Sequence, residues 1–469
     1  MAAVSTRRLD GHVPSSSIST PLICDYKQRN SHLLFYDEQA EKISNLIDEE
    51  IKRESNRQRE ARRKEVKVML LGQAESGKST LQKQFQLYYA SHSLDSERPS
   101  WRPVVYFNII KAIRMILDEL DYQFNAASKP RDKDDRRPST TTSSGSLYRS
   151  PETQSQIAAI RTRLLPLIAM ESALATELSG GVSVGGGKTG AFVRTGWQAL
   201  VGPGSARGQG NGRPMRNSET TNLVARTMSS LGGEVEKLWK HQAVRTLVHS
   251  RKLRLDDSAG FFLDSIKRIA EPEYMPSTDD ILSVRLQTLG VMEHQFVISL
   301  GGSTYNWKLY DVGGARGQRH AWMPYFDDAT AIIFLAPISA FDQYLEEDAR
   351  TNRIDDSLQL FTAICSNKLL SKAHLVLLLN KADLLKKKLK AGAKVRKYIT
   401  SFGDRPNTYE SVSEYFRSHF VQVHRRKDTF GRALYVHFTS MLDIKATQSI
   451  ISDVGEAIIR QHIASVGLA

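Results

Sequence analysis

A phosphate-loop motif is the sequence feature that most constrains the fold. Residues 66–71 (VKVMLL) fit a buried strand, residues 72–79 (GQAESGKS) fit the pattern G-x-x-x-x-G-K-[ST], and a helical stretch follows. In such a loop, backbone N–H groups and the helix N-terminus attract phosphates. Lys78 then neutralises the β- and γ-phosphates, and the Ser79 hydroxyl ligates Mg²⁺. A glycine turn that arose by chance is the alternative, and the strand and helix on either side favour the phosphate site.

Five more strand-like runs predict a sheet that the chain completes only after a long interruption. They follow residue 290, and helical patterns alternate with the last of them, which favours a mostly parallel, doubly wound α/β sheet. The runs are residues 295–300, 305–312, 330–338, 374–379 and 433–438. Residues 87–283 have instead the pattern of helices and loops. The sequence therefore predicts a helical domain inserted between the first strand and the others.

The composition excludes several classes of protein. A chain of 469 residues with 40% hydrophobic residues is long enough for two or three globular domains. Its apolar runs are far shorter than the roughly 20 residues of a membrane span, so a transmembrane protein is not expected. The two cysteines, Cys24 and Cys365, are far apart and lack metal-ligand spacing, which argues against a disulfide framework or a zinc site.

The net charge of +14 is compatible with a nucleic-acid partner, a membrane surface or a basic insertion. Residues 129–233 combine a Ser/Thr run with Gly-rich stretches, which predicts a low-complexity and partly disordered insertion, with residues 157–178 as an ordered helical part. This stretch has 14 basic and 7 acidic residues, a difference of +7. Because half of the excess charge lies there, we expect no nucleic-acid partner.

The N-terminal region divides into two predicted segments. Residues 1–37 are rich in serine and indicate a flexible tail that is too polar for a secretory signal. Residues 38–65 predict one long helix, with acids first and bases last, the order that the helix dipole favours. The apolar stripe on this helix is too thin for a buried core but sufficient for a partner surface. It consists of Ile43, Leu46, Ile47 and Ile51.

Two further motifs narrow the choice among ATPases, kinases and GTPases. Residues 380–383 (NKAD) follow an apolar strand, and the Asp383 carboxylate there can accept hydrogen bonds from guanine N1–H and N2–H₂, which adenine lacks. Residues 311–314 (DVGG) close another strand, where Asp311 can hold Mg²⁺ through water and a glycine N–H faces a γ-phosphate. Each motif alone is compatible with a polar turn, but their order after a phosphate loop indicates guanine.

These motifs together resemble those of the heterotrimeric G-protein α subunits. The resemblance covers residues 38–125 and 234–469 and includes residues 64–67, 257–259, 278–290, Trp322, 352–353 and 467–468. It implies an α/β, Ras-like P-loop GTPase fold with an inserted all-helical domain. The Ras-like domain would comprise residues 66–87 and 284–469, and the helical domain residues 88–283. The insertion at 129–233 resembles the expanded helical domains of some fungal members.

The resemblance also implies roles for individual residues. Arg285 would be the catalytic residue that stabilises charge on the transferring phosphate, and Thr288 the second Mg²⁺ ligand, in the first switch. Glu75 would restrain Arg285 by charge pairing. Asp257 would face Lys381 across the cleft, and a solvated surface residue is the alternative for it.

The complete predicted site has nucleotide-binding and metal-ligating residues. The residues at GTP or GDP would be Glu75, Ser76, Gly77, Lys78, Ser79, Thr80, Asp257, Ser258, Arg285, Thr288, Asp311, Gly313, Gly314, Asn380, Lys381, Asp383 and Met441. Ser79 and Thr288 would be the metal ligands. In the second switch, Arg316 and Arg319 match the family, and Asp356 takes the acidic position that Arg319 would engage when GTP orders the loop.

The chain departs from the family pattern where hydrolysis is concerned. Ala315 replaces the glutamine that orients the attacking water, and Ala74 replaces a glycine of the phosphate loop. Both changes oppose hydrolysis, so the sequence predicts a slow GTPase, with a non-hydrolysing guanine-nucleotide-binding regulatory module as the alternative. Gln318 is either a substitute for the missing glutamine or, as the sequence favours, a surface residue of the switch.

Two other departures concern the base and the partners. Residues 439–442 (TSML) replace a T-C-A-T loop, so the Met441 N–H would meet guanine O6 in a loop that its larger side chain could shift. His320 and Ala321 replace two lysines before Trp322, which weakens the prediction of docking to a βγ dimer.

The expected partners follow from the resemblance. They are a G-protein βγ dimer, a G-protein-coupled receptor bound by the C-terminal tail, an unidentified effector and, as a candidate, a GTPase-activating protein. Ala2 excludes N-myristoylation in this chain as written, and Cys24 is a candidate palmitate site. The basic cluster at residues 57–64 is either a weak contact to anionic lipid or a solvated helix face. We expect peripheral contact with the cytoplasmic face of the plasma membrane, and a cytoplasmic pool.

Overall fold

The computed structural model describes residues 24–128, 147–179, 191–193, 197–198, 219–250, 253, 255, 258–300 and 302–466. The chain divides into two units, Met1–Lys64 and Glu65–Ala469. No helix among the described residues is long and apolar enough to cross a membrane.

The first unit contains one 40-residue helix, α1, which spans Cys24–Arg63. The prediction of a long charged helix is confirmed, but its predicted start is wrong, because the helix begins at Cys24 and not at residue 38. Residues 24–37 have no sustained apolar period, so their sequence pattern did not indicate a helix. The predicted stripe is exposed: the exposed fractions of Ile43, Leu46 and Ile51 are 57%, 65% and 61%.

The second unit is built on a six-stranded sheet whose order is β4-β5-β1-β6-β7-β8. Its strands are β1 (Glu65–Leu71), β4 (Val291–Leu300), β5 (Ser303–Val312), β6 (Ala331–Pro337), β7 (His374–Asn380) and β8 (Leu434–Phe438). Strand β4 is antiparallel to β5 and all other pairs are parallel. The predicted mostly parallel sheet is confirmed. Every residue of β6 is buried, as expected of a parallel strand covered on both faces.

Helices cover the sheet and form a separate helical region. They are α2 (Lys78–Tyr89), α3 (Ser91–Ser128), α4 (Pro151–Ile168), α5 (Glu171–Leu178), α6 (Glu219–Lys240), α7 (Gln242–His249), α8 (Ala259–Asp264), α9 (Ile266–Ile269), α10 (Thr278–Ser283), α11 (Arg353–Ser366), α12 (Ala382–Lys390), α13 (Tyr409–Lys427) and α14 (Ile444–Val466). Short 3₁₀ helices span Arg316–Tyr325, Ile338–Asp342, Lys368–Leu370, Val395–Lys397 and Thr400–Phe402. Helices α3 to α10 share one apolar core, and two further cores lie on the sheet.

The structure corrects two details of the predicted insertion. Helix α6 begins at Glu219, so the low-complexity stretch does not reach residue 233. The buried residues of α6, such as Val224 and Met228, recur at helical spacing, but nearby glycines concealed this pattern in the sequence. The predicted helical part at 157–178 lies in α4 and α5, which separate at residues 169–170. Residues 129–146, 180–190 and 199–218 lie outside the described residues.

The inserted region is also not entirely helical. Strand β2 (Ala191–Val193) pairs in parallel with β3 (Leu286–Thr288), which directly follows Arg285. The Leu289 N–H donates to the Val193 carbonyl oxygen at 3.0 Å. Three-residue strands are too short to show a period of two, so the sequence did not reveal this pair. The pairing connects the insertion to the predicted first switch.

Candidate nucleotide-binding site

The phosphate loop lies between β1 and α2, at the carboxyl end of the parallel strands. Gly72 and Gly77 have positive φ angles of 146° and 105°. A Cβ at Gly72 would lie 2.5 Å from the Leu335 carbonyl oxygen, and one at Gly77 would collide with the Asn380 amide. Both positions therefore require glycine. The loop directs the N-terminus of α2, which begins at Lys78, towards the cavity.

Lys78 supplies a buried positive charge at this loop. Its ammonium donates to the carbonyl oxygens of Gly72 at 3.0 Å and Gln73 at 2.8 Å. Burial lowers the pKa of Lys78 to about 8, against the opposing effect of Asp311. A phosphate beside this ammonium would favour its charged form. The geometry is that of a site prepared for an anion.

Three oxygen-bearing side chains converge next to the loop. The Ser79 and Thr288 hydroxyls donate to Asp311 Oδ2 at 2.6 and 2.9 Å, and the two hydroxyl oxygens are 3.2 Å apart. The other carboxylate oxygen, Asp311 Oδ1, is buried without a hydrogen-bond partner in the described part of the chain. Hard oxygen donors with one carboxylate suit Mg²⁺, which keeps several waters and takes phosphate ligands. The residues present therefore fit a magnesium ion.

A carboxylate and two arginines form an ion cluster over the loop. Glu75, at φ 60°, pairs with the Arg285 guanidinium, and Arg353 Nη1 contacts Glu75 Oε2 at 2.9 Å. Burial alone would raise the pKa of Glu75, but the two guanidinium groups outweigh it and lower that pKa to about 2. The predicted contact between Glu75 and Arg285 is thus present, with Glu75 ionised.

Arg353 is a site residue to which sequence reasoning gave no role. Besides Glu75, it donates to Gln73 Oε1 at 2.9 Å and to the Ala74 carbonyl oxygen at 2.5 Å. It is buried at the start of α11, after Asn352, whose side chain caps the helix. The Asn-Arg pair was visible in the sequence, but nothing local indicated that this arginine reaches the phosphate loop.

The predicted second switch packs directly on the phosphate loop. Arg319 contacts Asp356 Oδ2 at 2.6 Å, as predicted, and Arg316 contacts Asp356 Oδ1 at 3.1 Å. The Trp322 indole donates to the Gly313 carbonyl oxygen at 2.9 Å. A Cβ at Gly314 would lie 2.5 Å from the Ala74 nitrogen and 2.6 Å from Lys78 Nζ. The backbone here approaches the loop as closely as glycine allows.

The cavity also contains the residues predicted to bind the base. The Asn380 side chain donates to the Ser76 carbonyl oxygen at 2.8 Å and accepts from the Thr439 hydroxyl at 3.1 Å, which connects the N-K-x-D turn to both loops. Gln84 of α2 donates to the Met441 carbonyl oxygen at 2.8 Å. This contact holds the loop whose position the methionine put in question.

One cavity of about 400 Å³ brings most of the predicted residues together. It is lined by Glu75, Gly77, Lys78, Ser79, Thr80, Ser258, Arg285, Thr288, Gly314, Asn380, Lys381, Asp383 and Met441. Ser76 and Gly313 lie in the adjoining loops, Asp311 lies at the end of β5, and Asp257 lies outside the described residues. Apolar side chains that the sequence did not indicate, including Leu255, Phe261 and Leu384, complete the wall. No group of three His, Cys, Asp or Glu residues that could hold a metal occurs in the described ranges.

Comparisons with known proteins agree with this geometry. The family model of the G-protein alpha subunit matches residues 41–458. The chain is 33% identical to the guanine nucleotide-binding protein alpha-4 subunit of Mycosarcoma maydis, across 86% of this chain and 83% of that protein. It is 29% identical to the alpha-1 subunit of the same organism and 28% identical to a guanine nucleotide-binding protein subunit alpha of Sporothrix schenckii. Each of these matches covers 98% of the relative's own length. The chain therefore belongs to the G-protein alpha subunit family, whose members are GTPases.

Proposed function

We propose that this GTPase is a receptor-coupled switch that alternates between GDP and GTP states and hydrolyses GTP slowly. Ala315 carries the proposal of slow hydrolysis. It lies in the cavity wall beside Gly314, and its methyl group can neither accept a hydrogen bond from water nor donate one to a phosphate. Ala74, in the same wall, adds a second methyl group near the phosphate end.

The two ends of the cavity would hold the two ends of the nucleotide. Lys78 and the N-terminus of α2 would bind the β- and γ-phosphates, and Asp383 would accept hydrogen bonds from guanine. Ser79 and Thr288 would hold Mg²⁺, with Asp311 acting through water. When bound, this ion would offset part of the negative charge of the phosphates. The convergence of these three side chains on one point supports the assignment.

Arg285 would stabilise the charge that develops on the γ-phosphate. The side chain is held by Glu75, so its guanidinium must turn from that carboxylate towards the phosphate during the reaction. Arg353 contacts the same carboxylate, so the negative charge of Glu75 would still be paired when the Arg285 guanidinium turns away. Glu75 therefore acts as a resting position for the catalytic arginine.

The family supports the general partners, and this chain supplies candidate surfaces for them. The exposed apolar stripe of α1 would contact a βγ dimer, with Cys24 and the basic residues 57–64 near the cytoplasmic face of the plasma membrane. The C-terminal tail, whose last three residues lie outside the described part, would contact a receptor. A GTPase-activating protein would act at the second switch.

A single-turnover assay tests the slow-hydrolysis proposal. Family members with the arginine in cis turn over at about 10⁻² s⁻¹, and loss of a polar catalytic group costs about 10²-fold, so we expect on the order of 10⁻⁴ s⁻¹ with Mg²⁺. The variant Ala315→Gln should be at least about 10-fold faster. A wild-type rate at or above 10⁻² s⁻¹ contradicts the proposal, and no hydrolysis, with or without an activating partner, indicates a non-hydrolysing regulatory module.

A further inference from the structure

We propose that Gln318 positions the attacking water and thereby compensates in part for the missing glutamine at residue 315. The inference rests on the proposed hydrolysis and assigns a residue to it. It also revises the sequence-based preference, which treated Gln318 as a surface residue of the switch. Gln318 is half-buried and lines the same cavity as Ala315 and Lys78.

The local helix places Gln318 one tight turn after Ala315. The 3₁₀ helix Arg316–Tyr325 begins directly after Ala315, and the Gln318 N–H donates to the Ala315 carbonyl oxygen at 2.9 Å. Residues three apart in such a turn lie on the same side. The Gln318 and Ala315 side chains both line the cavity, so an amide is present where Ala315 itself supplies only a methyl group.

The amide end of Gln318 lies beside Gly313. A Cβ built on Gly313 would be 2.9 Å from Gln318 Cδ, with Oε1 closer still, and 2.7 Å from the Thr288 carbonyl oxygen. Two hydrogen-bond acceptors, one from each predicted switch, thus lie close to Gly313 and near the residues proposed to bind magnesium. The absence of a side chain at Gly313 leaves the room that the amide occupies.

Two converging acceptors are what an attacking water requires. A water that donates one hydrogen bond to Gln318 Oε1 and one to the Thr288 carbonyl oxygen presents a lone pair to the γ-phosphorus. The new oxygen–phosphorus bond forms as the bond to the β-phosphate oxygen breaks, and the proton of the water leaves on the inorganic phosphate. The amide only orients the water and takes no proton.

Ion pairs hold the turn that carries Gln318. Arg316 and Arg319, on either side of it, both contact the buried Asp356, and Trp322 donates to the Gly313 carbonyl oxygen. These contacts hold the backbone of the turn on which Gln318 lies. Gln318 is half-buried and lines the cavity, whereas Met323 of the same helix is 59% exposed and is not among the residues that line it.

Four variants test the assignment in single-turnover GTP hydrolysis by the full chain with Mg²⁺. Gln318→Ala should lower the rate about 10-fold, with unchanged affinity for a non-hydrolysable GTP analogue. In the Ala315→Gln background the same change should have less than a two-fold effect, because residue 315 then orients the water. Met323→Ala, in the same 3₁₀ helix, should retain the wild-type rate. The nucleotide-induced change in Trp322 fluorescence shows that each variant still orders its switch.

The outcomes separate this inference from the proposed function. If Gln318→Ala hydrolyses GTP at the wild-type rate, the inference is wrong and the slow GTPase stands. An equal loss with and without Ala315→Gln would also overturn it, because the role would then be structural. If the wild-type chain binds GTP but shows no hydrolysis above buffer, the proposed hydrolysis fails and the inference fails with it.

Discussion

The phosphate loop and the second switch are two sides of one site, and one helix positions both. The first turn of α11 directs Arg353 to the loop and Asp356 to the two switch arginines. In the proposed function, the loop would bind phosphates with backbone N–H groups, whose positions depend on glycines at positive φ, together with the Lys78 ammonium that the same backbone places. The switch acts through side chains that must reach into the cavity. The two regions therefore differ in which part of each residue does the chemistry.

This difference governs how each region tolerates substitution. In a backbone cradle, the required φ angle and the space around each Cα determine which residue type can stand at each position, so a function of the loop cannot move to another residue. A side-chain function depends only on where its end lies, so it can move by one helical turn. Ala315 and Gln318 are consistent with such a move, and a change in the loop should be more damaging than an equally placed change in the switch.

The largest effect is expected from loss of the loop cation. Lys78→Ala removes a buried charge opposite two phosphates, and we expect GTP affinity to fall by about 10³-fold. Titration of a fluorescent GTP analogue measures this. Lys386→Ala is the control, because that ammonium lies over the Tyr409 ring, 4.4 Å from its centroid. A loss below 10-fold in Lys78→Ala would contradict the comparison.

A second variant tests the contact between the two regions. Gly314→Ala places a Cβ 2.5 Å from the Ala74 nitrogen, so the switch must move away from the loop. We expect hydrolysis to slow about 10²-fold and the nucleotide-induced Trp322 fluorescence change to be lost. Gly317→Ala, where a Cβ would contact nothing within 4 Å, is the matched control. Equal rates in the two variants would show that the close approach is unimportant.

A smaller effect on hydrolysis is expected from a change at Asp356, the residue that anchors the two switch arginines. Asp356→Asn removes the charge that both Arg316 and Arg319 contact, which loosens the turn carrying Gln318. We expect hydrolysis to slow about 10-fold, with nucleotide affinity within two-fold of wild type, because the loop is untouched. Asp355→Asn, at the exposed neighbouring position, should change neither. A large loss of affinity in Asp356→Asn would mean that the two regions are not separable.

The smallest effect concerns pH and the helix that follows the loop. Lys83 donates to the Ile281 carbonyl oxygen at 2.7 Å, and burial lowers its pKa to about 7, against the opposing effect of Asp311. An unfolded lysine titrates near 10.4, so between these values the unfolded chain binds a proton that the folded chain does not, and stability rises with pH.

Denaturation in urea at saturating GDP measures this dependence. From pH 7 to pH 8, the wild type should gain about 1 kcal/mol relative to Lys83→Met, which cannot titrate. The gain should stop above the unfolded pKa. A constant difference between the two proteins across this interval would show that Lys83 keeps its proton.

The sequence predicted much of the fold and the site because its strong signals are local. The strands were recognisable from continuous apolar runs, and the phosphate loop from residues whose spacing the backbone geometry imposes. The predicted start of α1 was wrong, because residues 24–37 show no sustained apolar period that would have indicated a helix. The β2–β3 pair was missed, because three residues show none and the partners lie far apart in the chain.

By itself, the sequence determined the phosphate loop and the N-K-x-D turn, which follow from residue types at fixed spacing, whereas the proposed catalytic role of Arg285 follows from the resemblance to the G-protein α subunits. Only the tertiary structure decided which side chains act together across the cavity. It brought Arg353 to Glu75, anchored both switch arginines on Asp356 and placed the Gln318 amide beside Gly313 and Thr288. Backbone geometry is local and can be inferred from a motif, whereas the position of a side-chain end depends on every element that packs around it.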